Sequence, residues 1–171
     1  SILILFFAVV LLVFLSSFVA YGLGRYKFHG NKALRVFFLI GMMFPTQLGI
    51  VPIFLMIKHI GLMDSFTSVI LILGTAVSMP ILMLTDFFAR LPKEVYEAAQ
   101  LDGAGELRTF FQIMFPMAKP VVFSVCIINS VAIWNQFFIP LIFLQTDAKK
   151  TVPLLVVKYT HNLLGNIDMA L

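Results

Sequence analysis

The sequence predicts an all-α integral membrane protein with about four spanning helices, cytoplasmic loop helices and an external helix. Three observations carry this reading. Hydrophobic residues fill 61% of the 171 positions and charged residues only 12%, whereas a soluble domain carries about 25% charged residues. The apolar runs approach the roughly 20 residues that cross a hydrocarbon core as a helix, without the alternation of barrel strands. The cations gather beside those runs, as membrane topology requires, so the formal charge of +4 gives no reason to invoke nucleic acid.

In chain order, the uncharged stretch 1–23 is long enough for one span. Arg25, Lys27, Lys32 and Arg35 crowd the next loop and mark it as cytoplasmic, since positive residues are retained inside. Residues 36–57 form the second expected span, with Pro45 and Pro52 inside it. Neighbouring helices can satisfy the carbonyls that proline frees. The short loop that follows, with Lys58 alone, is expected outside. Residues 65–88 form the third span; Asp86 lies four residues before Arg90, a spacing at which the two can pair at the interface.

Residues 91–119 break the apolar pattern with Lys93, Glu94, Glu97, Asp102, Glu106, Arg108 and Lys119, and are expected to leave the bilayer on the cytoplasmic side. Residues 120–144 are the fourth span. Asp147, Lys149 and Lys150 fall outside by alternation, and 151–166 is too short and polar to span, so it reads as an external or re-entrant segment. Ser1 begins inside an apolar run without an initiator Met, so the expectation is a fragment of a longer membrane protein.

Other chemistry is sparse. Cys126 is the only cysteine, which excludes an internal disulfide and a multi-cysteine zinc site. His29, His59 and His161 fall in different loops or ends. Gly22 and Gly24 follow no strand, and no G-x-x-x-x-G-K-[ST] is present, so the chain is expected to bind neither metal nor ATP and to hold no catalytic group.

The polar break itself reads as a helix, a tight turn and a second helix. Glu94 and Glu97 favour the first half of a helix, where the dipole welcomes negative charge. Ala98 and Ala99 add helix propensity with little bulk, and Asp102-Gly103 is a stop, because glycine accepts the left-handed conformation that closes helices. A solvated hairpin between two spans is the plain reading. Small alanines beside Glu97 favour close approach by another surface.

The run Glu97-Ala98-Ala99-Gln100-Leu101-Asp102-Gly103-Ala104, followed by Phe110, Ile113, Pro116 and Pro120, resembles the EAA signature of the inner-membrane permeases of bacterial ABC importers. Ala20-Tyr21, Arg25, Phe28, Gly30 and Lys32 resemble a loop of the maltose- and multiple-sugar-type branch. Trp134-Asn135-Gln136-Phe137 is similar to that branch's WNEF, and Thr151-Val152-Pro153-Leu154 to its TLP-x-G-L segment. Gln136 stands in place of Glu, Leu155 in place of Gly, Phe115 in place of Leu, and Gly105 where Ser or Thr often caps the second helix.

The resemblance implies a type I importer (MetI-like) permease in the bacterial inner or plasma membrane, with a further span before Ser1 and another after Leu171. It implies a cytoplasmic ABC ATPase dimer carrying the ATP and Mg, a second, homologous permease subunit, an extracytoplasmic solute-binding protein and surrounding lipid. Glu97 becomes the charged contact to the ATPase, Ala98 and Ala99 the close-packing surface, and Asp102-Gly103 the turn. Substrate-pathway candidates are Asn129, Trp134, Asn135, Gln136 and Gln47, with Asn162 weaker; helix–helix hydrogen bonding is the competing role for them. Other cargo (peptide, amino acid or metal) shares the loop motif. An ion-coupled carrier would call for deep ionisable residues, and Asp86 is shallow.

Overall fold

A central helix, α1 (Ile2–Arg25), organises the computed structural model, which describes residues 1–168. No proline interrupts α1, and Arg25 in its last turn complements the helix dipole. Ile4, Ala8, Leu12, Ser16 and Ala20 are buried at four-residue intervals, one ridge along a single face. That ridge meets α4 (Phe66–Gly74), α5 (Ser78–Arg90) and α9 (Lys119–Trp134). Phe6, Val10 and Phe14 remain exposed on other faces.

Small residues let the backbones close in. A Cβ on Gly24 would stand 2.8 Å from both Phe88 Cβ and Thr85 O on α5, and one on Gly74 would stand 2.8 Å from Leu11 Cδ2 on α1. Close backbone approach of this kind is the usual basis of helix association in lipid.

Two apolar clusters result. Near the Arg25 end, Leu12, Tyr21, Leu84, Phe88, Phe110 and Met114 pack together. Near the Ser1 end, Ile4, Ala8, Val69, Leu73, Ile139 and Phe143 do so.

The fold is all-helical, as expected, but the helices are more broken than the sequence reading allowed. Among the described residues, α1 is the one helix long and apolar enough by itself to cross a membrane, and three bent helix pairs meet the same measure if each pair is taken as one span. The stretch 36–57, read as one span, is α2 (Asn31–Met43), a 310 turn (Thr46–Gly49) and α3 (Ile50–His59), bent by 87°. Phe44 and Pro45 are both extended: proline disfavours the helical region for the residue before it. Pro52 instead sits in the first turn of α3, where a missing N–H costs nothing. The stretch 65–88 is α4 and α5, at 44°; Ser65 Oγ caps α4 by accepting from Thr67 N at 3.2 Å.

The stretch 120–144 stops at Trp134, and α10 (Phe138–Phe143) begins afresh after Asn135–Phe137. The segment read as cytoplasmic contains α6 (Lys93–Leu101), then α7 (Glu106–Thr109), which widens into a π-helical turn (Phe110–Met114) and continues as α8 (Phe115–Met117). This run meets α9 at 73°. α11 (Val152–Asp168) occupies the segment read as external; the side chain of Asn162 lies outside the described residues.

One polar contact departs from the sequence reading, and a second has no counterpart in it. Asp86 pairs with Arg35 of α2 at 3.5 Å, not with Arg90 one turn on. At the opposite end of the bundle, Asp64 sits at φ 54°, a left-handed conformation that Asp tolerates better than most residues. Its Oδ1 accepts from Gln145 N at 2.9 Å and Thr146 N at 3.0 Å, and Lys149 Nζ donates to Oδ2 at 2.9 Å. This staple joins the α3–α4 loop to the segment after α10.

Candidate functional site

α6 is a nine-residue helix with two unlike faces. Val95, Tyr96 and Ala99 turn inward, whereas Glu94, Glu97, Ala98 and Leu101 are exposed. The exposed set follows the i, i+3, i+4, i+7 spacing of one helix face. Leu101 is 89% exposed, and Glu97 makes no hydrogen bond or ion pair among the described residues. The placement corrects one expectation. Ala99 is 4% exposed, covered by its own chain, so the small-residue surface available to another protein is Ala98 alone, and Leu101 stands beside it.

Asp102-Gly103 ends α6 in the manner read from the sequence. Gly103 lies at φ 75°. Its N–H donates to Gln100 O at 3.0 Å, and Ala104 N–H donates to Ala99 O at 2.9 Å. These two bonds are the Schellman pair, which satisfies the last carbonyls of a helix only when the residue after the cap is left-handed. A Cβ on Gly103 would meet nothing within 4 Å, so the requirement for glycine here is conformational rather than steric.

A carboxylate missed in the sequence holds this unit to the bundle. Glu106, at the start of α7, accepts from the hydroxyls of Tyr26 and Tyr96, from Tyr21 at 3.3 Å and from Gln100 Nε2 at 3.1 Å. Arg25 stacks over the Tyr96 ring at 3.8 Å from its centroid, a favourable cation–π placement. The Tyr26 hydroxyl first, and then that of Tyr96, hold the Glu106 carboxyl below the usual carboxylate range. The same bond raises the Tyr96 phenol. One anion thus ties together the last turn of α1, the residue after it, α6 and α7. Tyr26 lies 80 residues from Glu106 in sequence, so no local spacing signals the contact.

The π-helical turn completes the anchorage. Phe110 is 2% exposed, and its ring centroid lies 4.6 Å from that of Phe18 and 5.1 Å from that of Tyr21.

The substrate-pathway candidates are spread out. Asn129 Nδ2 and Asn135 Nδ2 each donate to a carbonyl one turn back, Val125 O and Val131 O, both at 2.8 Å. Asn135 is the C-cap of α9, and Trp134 is 39% exposed. Gln136 and Trp134 border a cleft of only about 10 Å3, at the lower limit for one water. Gln47 is exposed in the 310 turn of the other break. The two breaks therefore hold three of the five candidates, and among the described residues the cleft that Trp134 and Gln136 share is too small for a sugar. Among the described residues no group of His, Cys, Asp or Glu is arranged to hold a metal.

The comparisons with known proteins agree with this architecture. Residues 13–155 match the family described as binding-protein-dependent transport system inner membrane component. The chain belongs to that family. It is 40% identical over 153 residues to the diacetylchitobiose uptake system permease protein NgcG of Streptomyces coelicolor, covering 89% of this chain and 50% of that protein. It is 34% identical over 166 residues to the melibiose/raffinose/stachyose import permease protein MelC of Bacillus subtilis, covering 95% and 60%. Among solved structures, a bacterial ABC transporter that imports the acidic polysaccharide alginate matches with a TM-score of 0.77 at 25% identity, over 91% of this chain and 54% of that one. The chain spans about half to three fifths of the length of these relatives.

Proposed function

We propose that this chain is part of a permease subunit of an ATP-driven importer of sugars or oligosaccharides, and that α6 docks on a cytoplasmic ATPase. The observation that supports the docking role is the outward face of α6: Glu97, Ala98 and Leu101 exposed together, beside a Schellman turn. Nucleotide binding and hydrolysis belong to the partner ATPase, and a solute-binding protein delivers the cargo from outside. A second, homologous permease subunit completes the pathway, in keeping with the lack of a sugar-sized cavity around Trp134 and Gln136. The relatives named for oligosaccharide uptake support the substrate class.

Docking drives transport only if it favours one pathway state over the other. The Glu106 node gives the reading a route: a displacement of α6 is passed to the end of α1 through hydrogen bonds rather than through a loose loop.

The test is made on the full-length permease co-expressed with its genomic neighbours. Glu97→Lys and Leu101→Asp should each leave membrane insertion intact and abolish ATPase co-purification and sugar uptake. Persistence of both in either variant would overturn the assigned interface. A neighbouring binding protein that retains an amino acid or peptide instead of a sugar would overturn the substrate class.

A further inference from the structure

A second site lies beside the loop, at the junction of α1, α2 and α6. A cavity of about 650 Å3 there is lined by Arg25, Lys27, Lys32, Arg35 and Lys93, with no Asp or Glu in its wall. Its volume falls within the roughly 300–1,000 Å3 of small-molecule sites. The five cations divide into two groups. Arg25 is occupied by the Tyr96 ring. Arg35 donates to Asn31 Oδ1 at 3.1 Å, Leu23 O at 3.1 Å and Asp86. Lys27, Lys32 and Lys93 make no hydrogen bond or ion pair among the described residues. Like charges gathered around one cavity repel, and an anion of matching size relieves that repulsion.

The rest of the wall narrows the choice of anion. Leu23, Phe28, Phe88 and Leu91 supply an apolar portion, which a free inorganic ion would not use. The cavity also lies where the apolar helices α1 and α2 meet the polar loop, the kind of boundary that faces lipid headgroups when such helices span a bilayer. We propose that this cavity binds the phosphate headgroup of an anionic phospholipid of the inner leaflet, with Lys27, Lys32 and Lys93 on the phosphate and the Phe28 side against the glycerol and upper acyl chains. Basic pockets between helices on the cytoplasmic side are suited to such headgroups. The inference rests only on the inner-membrane placement of the permease reading, not on its docking role.

The experiment uses the full-length protein, purified in mild detergent with either phosphatidylglycerol or phosphatidylcholine and examined by native mass spectrometry for retained lipid. Phosphatidylglycerol should be retained preferentially. The triple variant Lys27→Gln, Lys32→Gln, Lys93→Gln should lose that preference by on the order of a hundredfold, at roughly fivefold per lysine near an anionic surface. Removing equal charge elsewhere, by Lys58→Gln, Arg108→Gln and Lys119→Gln, should leave it unchanged, and millimolar inorganic phosphate should not displace the lipid.

Equal loss in both triple variants would reduce the effect to net charge and overturn the site. Displacement by inorganic phosphate alone would make it a free-anion site. A lysine variant that kept the lipid but lost the co-purifying ATPase would make the cavity a protein contact. Retained phosphatidylglycerol in a protein that never captures an ATPase would defeat the docking reading and leave the lipid site standing.

Discussion

Tyr21 donates a hydrogen bond to Glu106 at 3.3 Å across 85 residues of sequence, and in doing so fastens the polar α6–α7 segment to the helix at the centre of the bundle. Glu106→Ala should therefore free α6 without unfolding the spans. Hydrogen exchange on the full-length protein in nanodiscs should show protection over 93–104 falling on the order of tenfold or more, with α5 and α9 unchanged. Tyr26→Phe should cost more than Tyr21→Phe, whose bond is long. Unaltered loop protection in Glu106→Ala would remove the anchoring role.

The same node has a pH signature. Because the folded carboxyl of Glu106 is held below its ordinary value of 4.5, its contribution is present above that value and is lost as pH falls through the lowered folded value. Loop protection should be flat from neutral pH into mild acid and collapse only below the ordinary glutamate range, whereas Glu106→Gln should abolish that acid step.

Gly103 offers a cleaner separation of backbone from contact. With φ at 75° and open space around a built Cβ, Gly103→Val should cost roughly 1–2 kcal/mol through strain alone. Gly103→Asn, which accepts the left-handed region, should cost much less. Uptake and ATPase co-purification should follow the same order, Gly, then Asn, then Val.

Gly24 tests the packing of α1 on α5. Gly24→Leu must displace Phe88 or the backbone at Thr85, both 2.8 Å from its Cβ, and should destabilise the protein by about 1–3 kcal/mol, read as a lowered thermal midpoint in detergent.

Asp64 is a charge test at the other end. The Thr146 hydroxyl and backbone N–H, with Lys149, hold its carboxyl far below the ordinary 3.8, so its stabilisation is complete above that value and fades only in stronger acid. Asp64→Asn keeps the left-handed backbone and removes the charge. It should lower thermal stability at pH 7, and the difference from the parent should shrink as the buffer is taken to pH 3 and below.

These residues also show what was legible in the sequence. The membrane class, the helical fold and the turn at Gly103 follow from composition and from one residue's backbone freedom. The break at Phe44-Pro45 was harder, because proline inside a span is often accommodated by a bend, and only the extended geometry of both residues separates a stop from a kink. Asp86 was paired with Arg90 because four-residue spacing is visible in a string, while Arg35, 51 residues away, is not. Small size alone puts Ala99 outward with Ala98. The helical phase of Val95, Tyr96 and Ala99 against Glu94, Glu97 and Leu101 is present in the string, and at about 100° per residue it puts Ala98 on the exposed face and Ala99 on the buried one. The anchoring role of Glu106 had no local signal, since Tyr21 and Tyr26, which join it to α1 and the residue after it, lie 85 and 80 residues away in sequence.

The two faces of α6 divide the kinds of sequence change the permease can absorb. Residues pointing into the bundle are constrained by this chain, whereas Glu94, Glu97, Ala98 and Leu101 are constrained by whatever they meet. Because the Schellman turn and the Glu106 node fix the helix from behind, the outward residues can be exchanged as a set without disturbing its orientation. On the docking reading proposed above, grafting them from a related permease is a route to redirecting this subunit to a non-cognate motor, with the rest of the bundle left as it is.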